Sequence, residues 1–287
     1  MQKQSLSKFV VIIPITEQQI GNIELIIRAI DMQTILPYAV VFVFDRCDAN
    51  ELVGVGVRKY NIHYVRSDIP DSSLKKRPGE IYAGHTRNAG VKFIYSNIPD
   101  YDAILFIDGD CIPQPELIES HSYICQYSDI PILSCGKRRE SDRGWRDRRE
   151  DFQRLRTIGI FRKDVLITDV SLLKDGLVVW SCNIALNRRC IELIKRFNEL
   201  YYGESEVFNS EFNGGWGGED SFVGVMAYVA KVFIQAVARG GVEHICHPPA
   251  SRDATEESHR FFHRMVDDFK RRLTSNTVPL SIYSINQ

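Results

Sequence analysis

The chain has 287 residues, 44% hydrophobic and 25% charged, a composition typical of a globular protein with a large buried core. Its formal net charge of -1 gives no global attraction to nucleic acid, which is therefore not an expected partner. Seven cysteines without a CxxC pair favour reduced thiols over a disulfide framework. Neither a secretory leader nor a membrane-length apolar run is visible, so we expect a cytoplasmic protein that could also work at the inner face of a membrane.

Short apolar runs alternate with segments of helical spacing through the first half of the chain. The predicted strands are residues 9–13, 39–44, 62–65 and 103–107, and the predicted helices are residues 23–30 and 83–95. Strands that alternate with helices predict βαβ units. We therefore expect an α/β protein with a mostly parallel central sheet flanked by helices.

The apolar run 103–107 ends directly on Asp108-Gly109-Asp110. Asp-Gly is a common turn, which is one explanation of this sequence. The other is a site for a divalent cation that carries phosphate oxygens, because ligands of α/β sheets bind beyond the carboxyl ends of the strands. Asp45 follows the second strand, and right-handed crossovers would bring it to the same edge.

Two segments of the second half carry less regular signals. Residues 137–156 mix nine basic with five acidic side chains, which fits a solvated helix or a loop, or else a lid that faces an acceptor. From Ser258 onward, apolar residues recur at helical spacing and predict a helix packed on the body: Phe261, Phe262, Met265, Val266, Phe269 and Leu273. We expect one domain, with a nucleotide-binding half over about 8–113, an acceptor-binding half over about 114–250 and a helical extension over about 251–287.

The segment 214–220, Gly-Gly-Trp-Gly-Gly-Glu-Asp, is more specific. Its glycines allow a ligand to approach the backbone closely, and Trp216 offers a flat apolar face of the kind that packs on sugars. Glu219 and Asp220 open an apolar helical segment, where the helix dipole alone would stabilise two carboxylates. Helix capping does not explain the glycines around Trp216.

Two histidines, His244 and His247, follow a strand-like run over 232–237. A buried histidine is usually structural, and this pair lacks the partners of a separate zinc site. As further ligands of a cation at Asp108 and Asp110 they would complete a mixed oxygen and nitrogen shell that suits Mn²⁺. Which of the two would bind the metal stays open.

Several motifs, in this order, resemble the metal-dependent glycosyltransferases of GT-A fold, including the bacterial family 2 type. They are VVIIPIT at 10–16, VFVFDRCDAN at 41–50, GHTRNAGV at 84–91, FIDGDCIP at 106–113, SCNIALNR at 181–188, GWGGEDSFVG at 215–224 and HICHPP at 244–249. The Trp-Gly-Gly-Glu-Asp element resembles that of the β-1,4-galactosyltransferases and the polypeptide N-acetylgalactosaminyltransferases. The resemblance covers about residues 8–250.

The resemblance implies a role for each matching residue. Asp108 and Asp110 match the DxD motif, which holds the cation, Mn²⁺ or Mg²⁺, with the donor diphosphate. Residues that match the nucleotide and donor pocket of the family are Pro14, Thr16, Glu17, Asp45, Arg87 and Asn88. Trp216 would shape the sugar pocket, and Glu219 would hold sugar hydroxyls. Asp220 matches the catalytic base of the inverting members, and His247, with His244 as an alternative or addition, matches a metal ligand.

The function implied is the inverting transfer of a sugar from a nucleotide sugar to a saccharide or lipid-linked saccharide, in polysaccharide or glycoconjugate synthesis. The expected donor is a UDP-sugar. A cation would neutralise the leaving diphosphate, and a single base suffices for the acceptor hydroxyl. A sugar nucleotidyltransferase is the alternative enzyme, but the first strand is followed by Pro14-Ile15-Thr16-Glu17 rather than a glycine-rich basic loop. A catalytically inactive sugar-binding subunit would not need the complete set of acidic residues.

Overall fold

A computed structural model describes residues 8–47, 58–67, 82–126, 129–140, 144–146, 179–212, 217–245 and 252–275. The strands are β1 (Phe9–Ile15), β2 (Ala39–Asp45), β3 (Asn61–Ser67), β4 (Ala103–Phe106), β5 (Cys111–Pro113), β6 (Ile132–Glu140), β7 (Gly144–Arg146), β8 (Ile184–Asn187) and β9 (Phe233–His244). The α-helices are α1 (Ile23–Asp31), α2 (Ala83–Asn97), α3 (Leu117–Cys125), α4 (Arg188–Tyr202), α5 (Glu219–Val229) and α6 (Arg252–Ser275). Short 3-10 helices span Glu17–Asn22, Ser181–Asn183 and Ser210–Phe212.

The strands form one mixed sheet in the order β3-β2-β1-β4-β8-β6-β9-β5, with β7 paired to β6. The first four strands of this order are parallel, as the sequence predicted. Beyond β4 the pairing changes, because β8 runs antiparallel to both β4 and β6, while β9 is parallel to β6. The predicted α/β class is confirmed, and its parallel part is the half that carries Asp45 and Asp108 at its carboxyl edge.

Helices cover both faces of the sheet, which explains why its central strands are continuous apolar runs rather than alternating ones. Successive residues of β1 point to opposite faces: Val10 and Ile12 enter the core shared with α2, α4, α5 and α6, while Val11 and Ile13 enter the core shared with α1 and α3. All four side chains are fully buried. The sheet is thus a rigid support for the residues at its carboxyl edge.

Helix α6 packs on the body as its apolar spacing predicted. Met265, Val266 and Phe269 are buried, and the ring of Phe269 lies 5.2 Å from that of Tyr201 on α4, centroid to centroid. Arg272 at its end donates a hydrogen bond to the backbone oxygen of Tyr201. Within the described parts of the chain, no helix is both long and apolar enough to cross a bilayer.

The charged segment 137–156 differs from its expected structure where it is described. Residues 137–140 are the end of β6, and β7 returns antiparallel to them. A solvated helix is therefore wrong for this part, since its backbone hydrogen bonds go to β7 and β9. Residues 141–143 and 147–156 lie outside the described residues, and the idea of a lid stays untested there.

Candidate active site

A cleft of about 200 Å³ lies at the carboxyl ends of β1, β2 and β4, beside the first turns of α2 and α5. It is the edge at which α/β sheets bind ligands. Nine of the residues singled out in the sequence line it: Pro14, Thr16, Asp45, Arg87, Asp108, Asp110, Glu219, Asp220 and His244. The fold therefore brings together side chains that are far apart in the sequence, from Pro14 to His244.

The turn after β4 places Asp108 and Asp110 in the cleft on either side of Gly109. A side chain at position 109 would put its Cβ 2.7 Å from the backbone oxygen of Pro14 and 2.9 Å from Oε1 of Gln19. Real Cβ atoms do not approach other atoms so closely, so only glycine lets the turn pack against the end of β1. Asn22 holds this turn as well, by donating a 2.9 Å hydrogen bond to the Gly109 carbonyl. The Asp-Gly pair is therefore both a turn and a support for two carboxylates in the cleft.

Asp110 lies beside two nitrogen-bearing side chains of the cleft, those of His244 and Gln19. Its Oδ2 atom lies 3.6 Å from Nε2 of His244 and accepts a 3.3 Å hydrogen bond from Nε2 of Gln19. His244 reaches this position because β5 and β9 pair antiparallel, with Cys111 opposite His244. Carboxylate and imidazole are ligands that suit Mn²⁺. Among the described residues, however, no three His, Cys, Asp or Glu side chains are grouped to hold a metal ion.

Arg87 connects the two halves of the cleft. Its Nη2 atom donates to Oδ1 of Asp108 at 2.6 Å, and its Nη1 atom donates to Oε1 of Glu219 at 2.7 Å. The guanidinium is 4% exposed and lies 5.5 Å from the ring centre of Phe208. These two short, charge-assisted hydrogen bonds from one guanidinium fix α2, the end of β4 and α5 relative to one another.

Negative charge is in excess in the cleft, because five carboxyl groups line it against the guanidinium groups of Arg87 and Arg138. Burial raises the pKa of Glu219 to about 7; the charge of Asp220 acts in the same direction and Arg87 opposes it. Burial also raises the pKa of Asp108, with Arg87 opposing and Asp110 adding to the shift. Burial alone would lower the pKa of Arg87, but Asp108 and Glu219 raise it above its ordinary value. Arg87 and Arg138, with Arg46 paired to Asp45, are three positive charges against five carboxyl groups, so a cation would be favoured here.

Asp220 lies in the first turn of α5, which begins after Gly218 in a left-handed conformation (φ 94°) that favours glycine. Its Oδ2 atom accepts hydrogen bonds from the backbone nitrogen of Ser181 at 3.0 Å and from Ser181 Oγ at 3.3 Å. Its Oδ1 atom accepts from the backbone nitrogen of Ser221 at 2.6 Å. The carboxylate is therefore held from two sides.

Asp45 is buried at the end of β2, and both of its oxygens accept from Arg46, at 3.0 and 3.2 Å. The Arg46 guanidinium in turn lies 4.9 Å from the ring centre of Tyr82. This pairing occupies the carboxylate that the sequence assigned to the nucleotide. A nucleotide hydroxyl would have to share Asp45 with Arg46.

Two predicted pocket residues do not line the cleft. Asn88 is buried, and its amide exchanges hydrogen bonds of 2.7 and 3.0 Å with the backbone of Phe208. The oxygen and the nitrogen of the Asn88 amide are thus both bonded to the Phe208 backbone. Glu17 is exposed on its 3-10 helix, whereas Gln19 of the same helix lines the cleft. Trp216 and His247 lie outside the described residues.

Several lining residues were not singled out from the sequence, among them Gln19, Arg138 and Ser181. Gln19 had a local signal, because Thr16 and Gln19 have the three-residue spacing of a capping box, and Gln19 Oε1 does accept from the Thr16 backbone at 3.1 Å. Ser181 belongs to a motif of the resemblance that had no role assigned. Arg138 was hidden among the many charges of its segment, and its guanidinium lies 4.6 Å from the ring centre of Trp180.

A mixed sheet with helices on both faces is the architecture of the GT-A glycosyltransferases, and this chain has that fold. Among solved structures, S. aureus TarS 1-349 in complex with UDP-GlcNAc superposes with a TM-score of 0.56 at 16% identity, over 96% of this chain and 70% of that one. The chain matches 39% of the length of the longer S. aureus TarS structure.

Two further proteins share the fold. GalNAc-T7 with UDP, GalNAc and Mn²⁺ gives a TM-score of 0.55 at 14% identity, over 96% of this chain and 52% of that one. Glucosyl-3-phosphoglycerate synthase from Mycobacterium tuberculosis, with Mn²⁺, UDP-glucose and phosphoglyceric acid, gives 0.51 at 15% identity, over 98% and 81%. No protein-family model matches the sequence, and no curated protein matches it either. At such identities the likeness establishes the fold.

Proposed function

We propose that the protein is a metal-dependent, inverting glycosyltransferase that moves a sugar from a UDP-sugar to a saccharide or lipid-linked saccharide. The observation that carries the proposal is the convergence of the Asp108–Asp110 turn and Asp220 on one cleft. The fold adds support, because proteins that share it were solved with UDP, UDP-sugars and Mn²⁺.

Each side of the cleft has its own task in this proposal. Asp220 accepts the proton of the attacking acceptor hydroxyl, and Ser181 orients it with two hydrogen bonds. Glu219 binds hydroxyl groups of the donor sugar while Arg87 keeps it in place. Asp108 and Asp110, in the turn after β4, face the donor diphosphate. The acceptor hydroxyl would attack from the Asp220 side while the diphosphate departs toward Asp110, and an in-line displacement of this kind inverts the anomeric configuration.

The donor set fits a divalent cation at the Asp110 side. Asp110 and His244 point at each other across 3.6 Å, a mixed oxygen and nitrogen pair in a cleft with excess negative charge. His247 remains a candidate for the next ligand, on the grounds of the sequence. A bound cation stabilises the charge that develops on a leaving diphosphate, so that no general acid is needed there.

Release of UDP from a panel of UDP-sugars tests the proposal, with Mn²⁺ or with EDTA and with water as the acceptor. We expect slow, Mn²⁺-dependent release from at least one of UDP-glucose, UDP-galactose, UDP-GlcNAc and UDP-GalNAc. Asp220→Asn should lower turnover by about 10²–10⁴-fold, the usual contribution of a general base. Its affinity for UDP with Mn²⁺ should stay within about threefold, because Asp220 is on the acceptor side.

Asp110→Asn is the complementary variant, and it should weaken Mn²⁺-dependent binding of UDP by about 10–100-fold or more. Glu24→Gln is the matched control, since Glu24 is an exposed carboxylate on α1 paired only with Arg28 among the described contacts. Release that is unaffected by EDTA would overturn the metal role. Loss of UDP binding in Asp220→Asn would overturn the assignment of the base, and no release from any donor would overturn the proposed function.

A further inference from the structure

A row of buried polar side chains extends from α3 to the turn that contains Ser181, and the function proposed above assigns it no role. His121 on α3 bonds through Nδ1 to Ser134 Oγ on β6 at 2.7 Å, and through Nε2 to Asn183 Oδ1 at 2.8 Å. His121 and Ser134 are 0% exposed and Asn183 is 1% exposed. Buried polar groups cost stability unless they are fully hydrogen-bonded, so the orientation of this row is strongly determined.

The direction of each hydrogen bond follows from the amide of Asn183. Its Nδ2 atom donates to the backbone oxygen of Lys137 at 2.9 Å, so its Oδ1 atom must accept from His121 Nε2. In the neutral ring Nδ1 then accepts from Ser134 Oγ, whose hydroxyl can also donate to the Ala185 carbonyl oxygen at 3.3 Å. Burial agrees with this state, because it lowers the pKa of His121 to about 4. The bond between His121 and Asn183 therefore has one direction near neutral pH, from Nε2 to Oδ1.

Because Gly136 has no side chain, Asn183 can occupy the space beside it. A Cβ at position 136 would lie 2.1 Å from Asn183 Nδ2, far inside contact distance, and the neighbour it meets is buried and cannot move aside freely. A methyl group at this position would therefore displace Asn183 without removing any member of the row.

Asn183 ends the 3-10 turn whose first residue, Ser181, holds Asp220. The turn closes through a 3.1 Å hydrogen bond from the backbone nitrogen of Asn183 to the oxygen of Trp180. Ser181 thus reaches Asp220 from one end of the turn, and His121 anchors the other end to α3. A shift of Asn183 would move the two donors that orient the carboxylate.

We infer that His121 and Asn183 are positioning residues that hold the Ser181 turn, and through it the carboxylate of Asp220, in the geometry needed for proton transfer. The inference rests on the proposed function. It separates positioning from packing, because a row that served packing alone would have no reason to end on the turn that contacts the base.

The test compares four variants: His121→Phe, His121→Gln, Gly136→Ala and Gly21→Ala. Phenylalanine fills the space of imidazole but cannot donate to Asn183. The amide nitrogen of glutamine reaches about the position of Nε2 and can donate to Asn183. Gly21→Ala is the matched control, since a Cβ at Gly21 meets no described atom within 4 Å.

The readouts are kcat and KM for the UDP-sugar that the wild-type protein consumes fastest, and the Kd of UDP with Mn²⁺. His121→Phe and Gly136→Ala should lower kcat by about 10–100-fold, as displacements of about 1 Å do. Their Kd for UDP should stay within about threefold, because the Asp110 side is not moved. His121→Gln should recover most of kcat, and Gly21→Ala should match the wild type.

A role in stability alone would give other results. Folded His121→Phe with wild-type kcat, an equal loss of kcat and UDP affinity, or a His121→Gln variant no better than His121→Phe would each overturn the inference. If His121→Phe does not fold, Gly136→Ala alone tests the inference, and a wild-type kcat in Gly136→Ala would overturn the inference. Failure of the proposed function is seen separately, as the absence of UDP release from the wild-type protein before any variant is compared.

Discussion

Replacement of Arg87 by methionine tests the central bridge of the cleft. Methionine keeps much of the volume but removes both hydrogen bonds, to Asp108 and to Glu219. The guanidinium is 4% exposed and the Glu219 side chain 7%, so Glu219 would become a buried carboxyl group without a partner. Asp108 is 27% exposed, and solvent would compensate part of its loss.

The expected loss in the free energy of unfolding is about 3–5 kcal/mol at pH 8, the usual cost of removing one partner of a buried ion pair. The loss should depend on pH. In the wild-type protein the pKa of Glu219 is raised to about 7, so its contribution to stability is greatest in acid and falls as the pH rises to about 7. Without Arg87 that pKa rises further, and stability should go on falling above pH 7.

The difference between the variant and the wild type should therefore narrow as the pH falls from 8 to 5. Where the folded variant holds one proton more than the folded wild type, the difference in unfolding free energy should change by about 1.4 kcal/mol per pH unit. Urea unfolding at pH 5, 6.5 and 8 measures it. Arg28→Met is the control, since the Arg28–Glu24 pair is exposed and worth under about 1 kcal/mol. A loss in Arg87→Met below about 1 kcal/mol, or one equal at every pH, would refute this reasoning.

The remaining predictions concern single positions. Gly109→Ala should cost about 1–3 kcal/mol of stability in urea unfolding, because its Cβ would lie 2.7 Å from a backbone oxygen of β1. It should also weaken UDP binding with Mn²⁺, whereas the control Gly21→Ala should change neither stability nor binding. Glu219→Gln should flatten the decline of stability between pH 5 and 7 by up to about 3 kcal/mol, since the wild-type carboxyl group binds a proton there that its unfolded form releases; an unchanged slope would contradict the raised pKa. Asn88→Ala should cost about 3 kcal/mol by leaving the Phe208 backbone groups unpaired, yet change the Kd of UDP little; the reverse result would return Asn88 to the nucleotide pocket.

The sequence could predict the part of the cleft that local pattern determines. An apolar run that ends on Asp108 places that residue at the carboxyl edge, because a buried parallel strand has few other forms. Asp45 follows by the same rule. The pairing of Asp45 with its neighbour Arg46 was not foreseen, since it depends on a left-handed residue after β2, with φ 57° at Arg46.

Contacts made by distant segments could not be read in this way. Glu219 meets Arg87 across 132 positions, and no periodicity encodes that contact. His244 reaches Asp110 because a three-residue strand, β5, pairs antiparallel with β9, and such a short strand has no pattern of its own. The motif resemblance named Asn88 together with Arg87, but the Asn88 amide is bonded to the backbone of Phe208, 120 positions away.

Asp108 and Asp110 looked equivalent in the sequence, and their surroundings make them different. Asp108 is bonded to Arg87 and is thereby linked to Glu219, on the side where Asp220 lies. Asp110 instead contacts Gln19 and His244. A cation can therefore be favoured at Asp110 while Asp108 keeps its guanidinium, because one oxygen of Asp108 is already engaged. Gly109 makes this division possible, since the turn that separates the two carboxylates leaves no space for a side chain.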